Sequence, residues 1–259
     1  MTGSEEPPSF RLAYVPGVTP SKWVRIWNER LPDVPLTLST VSAAEAPGVL
    51  RGRGADAGFV RLPIDRTGLS AIPLYTETTV VVVPKDHLVA AVDEVSADEL
   101  ADEIVLHPLD DTLDWERPPG RPAFERPATT EDAVELVAAG IGLLFVPQSL
   151  ARLYHRKDLT YRTVTGVPES RVALSWPEEE VAPDLVEEFI GIVRGRTVNS
   201  SRGRTPTPPQ PKQKRPDKGG APRKQGAGRT GGKPGAKNAR GGSGTPKGAA
   251  KKGKPRRRP

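Results

Sequence analysis

The sequence predicts an α/β protein with two lobes, followed by a disordered basic tail. Three observations favour this fold class. Short apolar strands alternate with amphipathic helices over residues 9–197, a rhythm typical of βαβ units and a mostly parallel sheet. The rhythm restarts after Pro84, which indicates a second group of elements. From about Val198 onwards the chain has no aromatic residue, no Leu and no Ile, so it buries too little apolar surface to become ordered.

The predicted first lobe begins with a strand over residues 9–15, in which apolar and polar residues alternate. Thr19 is the expected N-cap of the next helix, because Pro20 suits the first helical position. The apolar face of this helix is predicted to consist of four residues at helical spacing, Trp23, Ile26, Trp27 and Leu31. Further strands are expected over residues 35–41, 55–61, 71–74 and 76–84, and a helix over residues 43–53 is expected to break at Pro47-Gly48. The strand over residues 76–84 is nearly all Val, which indicates burial on both faces.

The predicted second lobe starts after a turn at Pro84. Ser96, with Glu99 three residues later, is expected to open a short helix, followed by a strand over residues 103–107. Thr129 and Asp132 form a weaker capping box before a helix over residues 130–139, and Gly140 fits the position after the helix where a positive φ is needed. Its buried stripe is predicted to be Val134, Val137, Ala138 and Ile141.

The remaining elements are a strand over residues 143–146, a helical turn over 149–154, strands over 159–164 and 172–176, and a last helix that begins at Pro183. Segments 76–84 and 171–177 are interpreted as crossover strands between the lobes. The first lobe is therefore expected to hold residues 9–80 and 177–197, and the second residues 84–170.

The order of these segments resembles the effector-binding domain of LysR-type transcriptional regulators, which has the type 2 periplasmic-binding-protein fold. The resemblance covers residues 9–196 and rests on RLAYVPGVTPSKWVRIWNERLPDVPLTL, LRGRGADAGFVRL, GLSAIPLYTETTVVVVPKDHLVA, VSADELADEIVL and TTEDAVELVAAGIGLLFVPQSLARL. It implies a small-molecule effector between the lobes, a dimer or a heteromer with a full-length relative, and a role in transcription. The family's N-terminal winged helix-turn-helix is not expected, since the sequence begins almost directly at the first predicted strand.

Ligands of open α/β sheets bind where strands end and helices begin, because exposed N–H groups and the positive helix end attract carboxylates and phosphates. Six residues at such places are the predicted ligand-binding residues: Thr19, Ser21, Ser42, Arg61, Thr129 and Thr130. The threonines and Ser21 serve equally well as helix caps, Ser42 as a turn residue, and Arg61 as the partner of Asp56 or Asp65 in a surface ion pair. Together these residues describe a cleft suited to a small carboxylate or amide ligand. Because Glu131 and Asp132 offset the positive helix end, a neutral or zwitterionic effector such as an amino acid is the open alternative.

Composition excludes several classes of function. The chain has no Cys, so it has no disulfide, no thiolate metal site and no cysteine nucleophile. No catalytic or nucleotide-binding motif is present, and the segment with His107, Asp110, Asp111 and Asp114 matches no metal-ligand spacing and is expected to be a solvated loop. We therefore expect no enzyme activity, no metal and no cofactor. The acidic N-terminus is unlike a secretory signal and no apolar run reaches the about 18 residues of a membrane span, so a cytoplasmic location without membrane contact is expected.

The tail predicts a second kind of contact. Residues 198–259 contain 19 Lys or Arg and one acid, so they have a charge of +18, whereas residues 1–197 have −12. A flexible polycation binds nucleic acid through counterion release, with little sequence preference. The open alternatives are attraction to the acidic part of the same chain, or a solubilising role. The alternative hypothesis for the whole chain is that it is an architectural nucleic-acid-binding protein whose folded part only oligomerises. The predicted nucleic-acid contacts are Lys212, Lys214, Arg215, Arg223, Lys224, Lys251, Lys252, Lys254, Arg256, Arg257 and Arg258.

Overall fold

The computed structural model describes residues 7–179 and 183–196, all within one compact unit. In chain order the elements are β1 (Phe10–Tyr14), α1 (Ser21–Arg30), β2 (Leu36–Thr40), α2 (Ala46–Arg51), β3 (Ala57–Leu62), β4 (Leu69–Glu77), β5 (Thr79–Pro84), β6 (Glu94–Ser96), β7 (Ile104–Leu106), β8 (Arg121–Pro122), α3 (Thr130–Ala138), β9 (Leu143–Pro147), α4 (Gln148–Leu153), β10 (Leu159–Thr165), β11 (Ser170–Pro177) and α5 (Asp184–Val193). Two 3-10 turns lie at Leu88–Ala91 and Asp98–Leu100.

The strands form two sheets, which define the two lobes. The first lobe has a five-stranded sheet in the order β2-β1-β3-β11-β4, and the second a six-stranded sheet in the order β6-β10-β5-β9-β7-β8. In the first sheet β1 lies parallel to β2 and β3, whereas β11 runs antiparallel to β3 and β4. This arrangement confirms the two-lobed α/β fold class.

Aromatic packing explains why α1 and α5 lie against the first sheet. The rings of Phe10 and Trp27 stack at 4.6 Å between centroids, and Phe189 of α5 packs 5.2 Å from Phe10. All three side chains are fully buried. Trp27 Nε1 donates a hydrogen bond to the Val34 carbonyl at 2.9 Å, so the indole loses no polar contact on burial. The predicted apolar face of α1 therefore packs as expected.

The valine-rich strand β5 lies in the interior of the second sheet, as predicted. It runs antiparallel to both β9 and β10. Side chains of a strand alternate between the two faces of its sheet, and Val80 and Val82 pack in one hydrophobic cluster whereas Val81 and Val83 pack in another. Both faces of β5 are therefore covered.

The expected crossover strands are wrong in one respect: each strand belongs to a single sheet. The chain passes between the sheets at Thr78, between β4 and β5, and again over residues 166–169, between β10 and β11. Residues 71–74 and 76–77 form one continuous strand, β4, rather than parts of two. Pro73 hides this continuity in the sequence, but β4 is an edge strand with a register shift opposite Val172 and Ala173, where proline is tolerated.

The start of α3 and the turn that leads from it to β9 agree with the predictions. Thr129 Oγ1 accepts a hydrogen bond from the Asp132 backbone N–H at 3.1 Å and donates one to the Asp132 carboxylate at 2.8 Å. Gly140 has a φ of +72°. Gly142 is required for close approach, because a Cβ there would lie 2.8 Å from the Ile104 carbonyl oxygen. The prediction that Ile141 is buried is wrong, because this residue lies beyond the end of α3 and is 47% exposed.

Two predicted helix starts need correction. Pro20, not Thr19, occupies the N-cap position of α1, and its side chain makes no capping hydrogen bond. Pro47 lies in the first turn of α2 instead of breaking it, because the first turn has no intrahelical partner for the N–H that proline lacks. The Ser96–Glu99 capping box is confirmed, with the Ser96 backbone N–H and hydroxyl donating to the Glu99 carboxylate at 2.8 and 2.9 Å. The short edge strand β6, which ends at Ser96, was not predicted.

The predicted contacts of the tail, from Lys212 to Arg258, lie outside the described residues. Within residues 7–179 and 183–196, no helix is long and apolar enough to cross a membrane.

Candidate functional site

A cavity of about 1070 Å³ opens between the two lobes. The first lobe contributes the turn after β1, residues 16–20, together with Tyr14 and Thr40. The second lobe contributes Glu131, at the start of α3, and most of α4, while Thr76, Glu77 and Thr78 line the cavity where the chain crosses between the sheets. The cavity is therefore built from both lobes and from a connection between them.

A smaller cavity of about 50 Å³ shares Pro16 and Tyr154 with the large one. Its polar lining comes from both lobes, with Ser42 and Arg61 on one side and Asp110, Thr112 and Thr130 on the other. The hydroxyl of Thr112 is buried and has no hydrogen-bond partner within the described part of the chain. A buried hydroxyl is costly to leave unpaired, so Thr112 is a strained point of this end of the cleft.

Arg61 is the centre of a buried hydrogen-bond network that joins the lobes. Its guanidinium forms an ion pair with Glu77 at 2.7 Å, and the two side chains are 2% and 10% exposed. Nη1 also donates to Ser170 Oγ at 2.8 Å, and Nη2 donates to the Pro16 carbonyl at 3.1 Å and to Ser149 Oγ at 2.9 Å. Ser149 in turn donates to Glu77 at 2.7 Å. Since Ser149 belongs to α4, the network fastens the second lobe to the first.

The expected surface partners of Arg61 are wrong. Asp56 pairs with Arg11 and Asp65 pairs with Arg51, each at 2.7 Å. The side chain of Arg61 instead points to the inside of the protein, because β3 is flanked on both sides in the sheet and buried along most of its length.

Three of the predicted ligand-binding residues, besides Arg61, line the two cavities. Thr19 lies on the large cavity, whereas Ser42 and Thr130 lie on the small one. Ser42 Oγ donates to the Glu45 carboxylate at 2.8 Å and accepts from the Glu45 N–H, so it also caps the turn before α2. Thr130 Oγ1 donates to Asp110 at 2.9 Å. The ligand role of these residues stays a prediction.

Ser21 and Thr129 lie elsewhere. Ser21 borders a shallow groove between α1 and β2, and the Thr129 hydroxyl is occupied by the capping box with Asp132. Neither residue is part of the lining of the large or the small cavity.

Sequence reasoning missed the cleft residues of α4, namely Gln148, Ser149, Arg152 and Leu153, and also Tyr154 directly after it. The available signal was Pro147, which ends β9 directly before a short helix. Residues at helical spacing on such a helix, at the end of a sheet strand, face the same crevice as the other strand-to-helix turns.

The charges around Tyr154 differ from those near Arg61. Burial raises the pKa of Tyr154, and the carboxylates of Glu131 and Asp110 raise it further. Arg152 donates from Nε to the Tyr161 hydroxyl at 3.2 Å and forms no ion pair with any carboxylate of the described residues. Among the described residues, the second-lobe wall of the cleft therefore presents the cation of Arg152 and the carboxylates of Glu131 and Asp110.

The loop after β7 is more ordered than the predicted solvated loop. Asp111 lies 2.9 Å from His107 Nε2 and accepts a hydrogen bond from Trp115 Nε1 at 2.8 Å. Burial raises the pKa of Asp111. These contacts hold the loop that brings Asp110 and Thr112 to the small cavity. Among the described residues, no three His, Asp or Glu side chains lie close enough together to hold a metal ion.

The family model for the LysR substrate binding domain matches residues 4–197. A probable hydrogen peroxide-inducible genes activator of Mycobacterium avium is 32% identical over 76% of this chain and 68% of its own length. The HTH-type transcriptional regulator AlsR of Bacillus subtilis is 25% identical over 70% of this chain and 64% of its own length. The chain thus spans about two thirds of these regulators.

Solved structures agree on the fold. The BenM effector binding domain with its effector benzoate superposes with a TM-score of 0.62 at 19% identity, covering 78% of this chain and 96% of that one. The oxidized form of OxyR gives 0.61 at 18% identity, covering 73% and 95%. The family match, the named relatives and the two-lobed fold lead to one assignment: the chain belongs to the LysR substrate-binding domain family of transcriptional regulators.

Proposed function

We propose that this protein senses a small molecule in the cleft between its lobes and reports binding by a change in the angle between them. The single observation behind this proposal is the cavity of about 1070 Å³, whose walls come from both lobes and from a chain crossing between them. A ligand that contacts both walls binds the closed arrangement more tightly than the open one, and so shifts the population toward it.

The ligand-binding residues in this proposal are Thr19, Ser42 and Thr130, with Arg61 acting through the network that positions Ser149. Thr19 and Ser42 lie in the first lobe and Thr130 in the second. Hydroxyl groups on both sides of the cleft provide directional hydrogen bonds to a small polar molecule. A purely binding function without catalysis is consistent with relatives that are named as regulators.

Transcription control in the cytoplasm, as part of a dimer or a heteromer with a longer relative, is the setting that we propose for this sensing. The named function of the Mycobacterium avium relative does not transfer directly. A thiol-based response to peroxide requires a cysteine thiolate, and these 259 residues contain no Cys.

The basic segment favours a second contact, with nucleic acid. Its +18 charge over residues 198–259 supports electrostatic binding without sequence preference, which weakens steeply as salt increases. We propose this contact as an accessory to sensing. If DNA binding requires residues 198–259 and no small molecule alters the folded part, the architectural alternative is the better description.

A thermal-melt screen of the full chain tests the sensing proposal. The compounds are amino acids, aromatic acids and small metabolic acids, each compared with its amide, which lacks the carboxylate charge. A ligand at about 100 times its Kd adds about 2.7 kcal/mol to the free energy of unfolding, which raises the Tm by about 5 °C or more for a domain of this size. A saturable shift from one chemical class supports the proposal, and no shift from any class contradicts it.

A further inference from the structure

We infer that the effector is a zwitterion of the amino-acid class, with its carboxylate paired to Arg152 and its ammonium group facing Glu131 and Asp110. This inference rests on the proposed function, because it names the ligand class of the same cleft.

Arg61 is not available to an incoming carboxylate. Both of its terminal nitrogens already donate, to Glu77 and Ser170 from Nη1 and to Pro16 and Ser149 from Nη2. A ligand carboxylate would have to displace Glu77, leaving that carboxylate buried at 10% exposure without its counter-ion. Leaving one partner of a buried pair alone is strongly destabilising.

Within the described part of the chain, Arg61 is the cationic side chain that lines the small cavity, and Arg152 is the one that lines the large cavity. Arg152 is exposed on α4, four residues after Gln148 and three after Ser149, which line the same cavity. Among the described residues, its Nε alone is engaged, with the Tyr161 hydroxyl. Its planar guanidinium thus retains the geometry for a carboxylate, which it pairs with in a bidentate manner.

The two carboxylates on the same wall argue against a simple acid as ligand. Glu131 is exposed in the first turn of α3 and forms no ion pair with the described residues, and Asp110 accepts only from Thr130. Both carboxylates raise the pKa of Tyr154. Tyr154 lines both cavities, so the two charges lie at the same part of the cleft. A ligand with one negative charge would meet two like charges here, whereas a ligand with an ammonium group satisfies them.

The remaining lining of the large cavity suits the apolar side chain of such a ligand. Tyr14, Val18 and Leu153 present apolar surface to the large cavity, on opposite lobes. A ligand side chain placed between them would lose water-exposed apolar area, which favours binding.

The test is calorimetric titration of the full chain with the twenty common L-amino acids, followed by matched analogues. For phenylalanine the analogues are 3-phenylpropionate, which lacks the ammonium group, and 2-phenylethylamine, which lacks the carboxylate. For leucine they are 4-methylpentanoate and 3-methylbutylamine. The inference expects at least one amino acid to bind and both of its analogues to bind at least 10-fold more weakly.

The variants assign the charges. Arg152→Gln is expected to weaken amino-acid binding about 10- to 100-fold, since it removes a charge-assisted contact, and Arg152→Lys is expected to restore part of it. Glu131→Gln is expected to weaken binding of the amino acid but to strengthen binding of the deaminated analogue. Lys157→Gln, which changes an exposed cation of the turn after α4, is the matched control and should change neither. All four variants should retain the Tm of the ligand-free protein.

Failure of this inference is distinguishable from failure of the proposed function. Equal binding of an amino acid and its deaminated analogue, an Arg152→Gln variant with unchanged affinity, or an effector from the melt screen that is not a zwitterion overturns the inference alone. If no compound of any class binds, both the inference and the proposed function are wrong.

Discussion

Arg61 and Glu77 illustrate how one buried ion pair organises the cleft. Their side chains are 2% and 10% exposed, so each charge depends on the other and on the hydroxyls of Ser149 and Ser170 for solvation. The two residues lie on β3 and β4, which are separated in the sheet by β11. The pair could not be predicted from the sequence, because the partners are 16 positions apart and Asp56 and Asp65 lie nearer to Arg61 in the chain.

Replacing Glu77 tests this pair. Glu77→Gln leaves the Arg61 charge buried without a counter-ion, so we expect the free energy of unfolding to fall by about 3–5 kcal/mol. Glu29→Gln is the control, because Glu29 pairs with Arg25 at 3.8 Å on an exposed helix face, where such a pair contributes about 0.3–0.5 kcal/mol. Urea unfolding of both variants measures the difference. Equal effects would show that the buried pair contributes no more than a surface one.

The capping contact at Ser96 gives a prediction in pH. Hydrogen bonds from the backbone N–H and the hydroxyl of Ser96 hold the pKa of Glu99 below its usual value of 4.5. Because the folded pKa is the lower one, this contact stabilises the protein above pH 4.5 and the stabilisation is lost as the pH falls through the folded value. An NMR titration of the Glu99 carboxyl should give a pKa below 4.5 that returns part of the way toward 4.5 in Ser96→Ala, because this variant removes the hydroxyl and keeps the backbone N–H. An unchanged pKa in that variant would contradict the contact.

Among the elements, α4 and the turn after β1 form the junction between the lobes. Gly17 has a φ of +85°, and a Cβ there would lie 2.5 Å from Ser149 Oγ and 2.9 Å from Arg61 Nη2. The glycine therefore lets the first lobe approach α4 closely enough for the hydrogen bonds of Arg61 and Ser149. Helix α4 has only six residues. A pattern this short did not identify α4 as part of a candidate site from the sequence.

A pair of glycine variants separates backbone strain from this close approach. Gly140→Ala places a Cβ at a φ of +72° in open space, so its cost should be the left-handed strain alone, about 1–2 kcal/mol. Gly17→Ala has similar strain and also displaces Ser149 and Arg61. We expect it to lower the free energy of unfolding by clearly more than Gly140→Ala in chemical denaturation. A cost no greater than that of Gly140→Ala would mean that the junction adjusts freely.

At the scale of the whole molecule, the fold was largely predictable from the sequence. The run of Val in β5, the aromatic face of α1 and the glycine after α3 each act locally, so local pattern was enough to find them. The lining of the candidate cleft was predictable only at strand ends and helix starts, as at Thr19, Ser42, Arg61 and Thr130, and the ligand role of these residues stays a prediction. Its remaining residues, Glu77, Ser149, Arg152 and Tyr154, meet through contacts between elements far apart in the chain, which no local pattern reports.

The most direct test of ligand sensing between the lobes is an interlobe distance measured by double electron–electron resonance. The chain has no Cys, so Lys22→Cys on α1 and Lys157→Cys after α4 give two unique spin-label sites, both exposed and one on each lobe. The compound with the largest shift in the melt screen is added to the full chain. Our account predicts a saturable change to a shorter distance at the same concentrations that raise the Tm. A distance distribution that stays unchanged at saturation, or a screen that yields no compound to add, would contradict it.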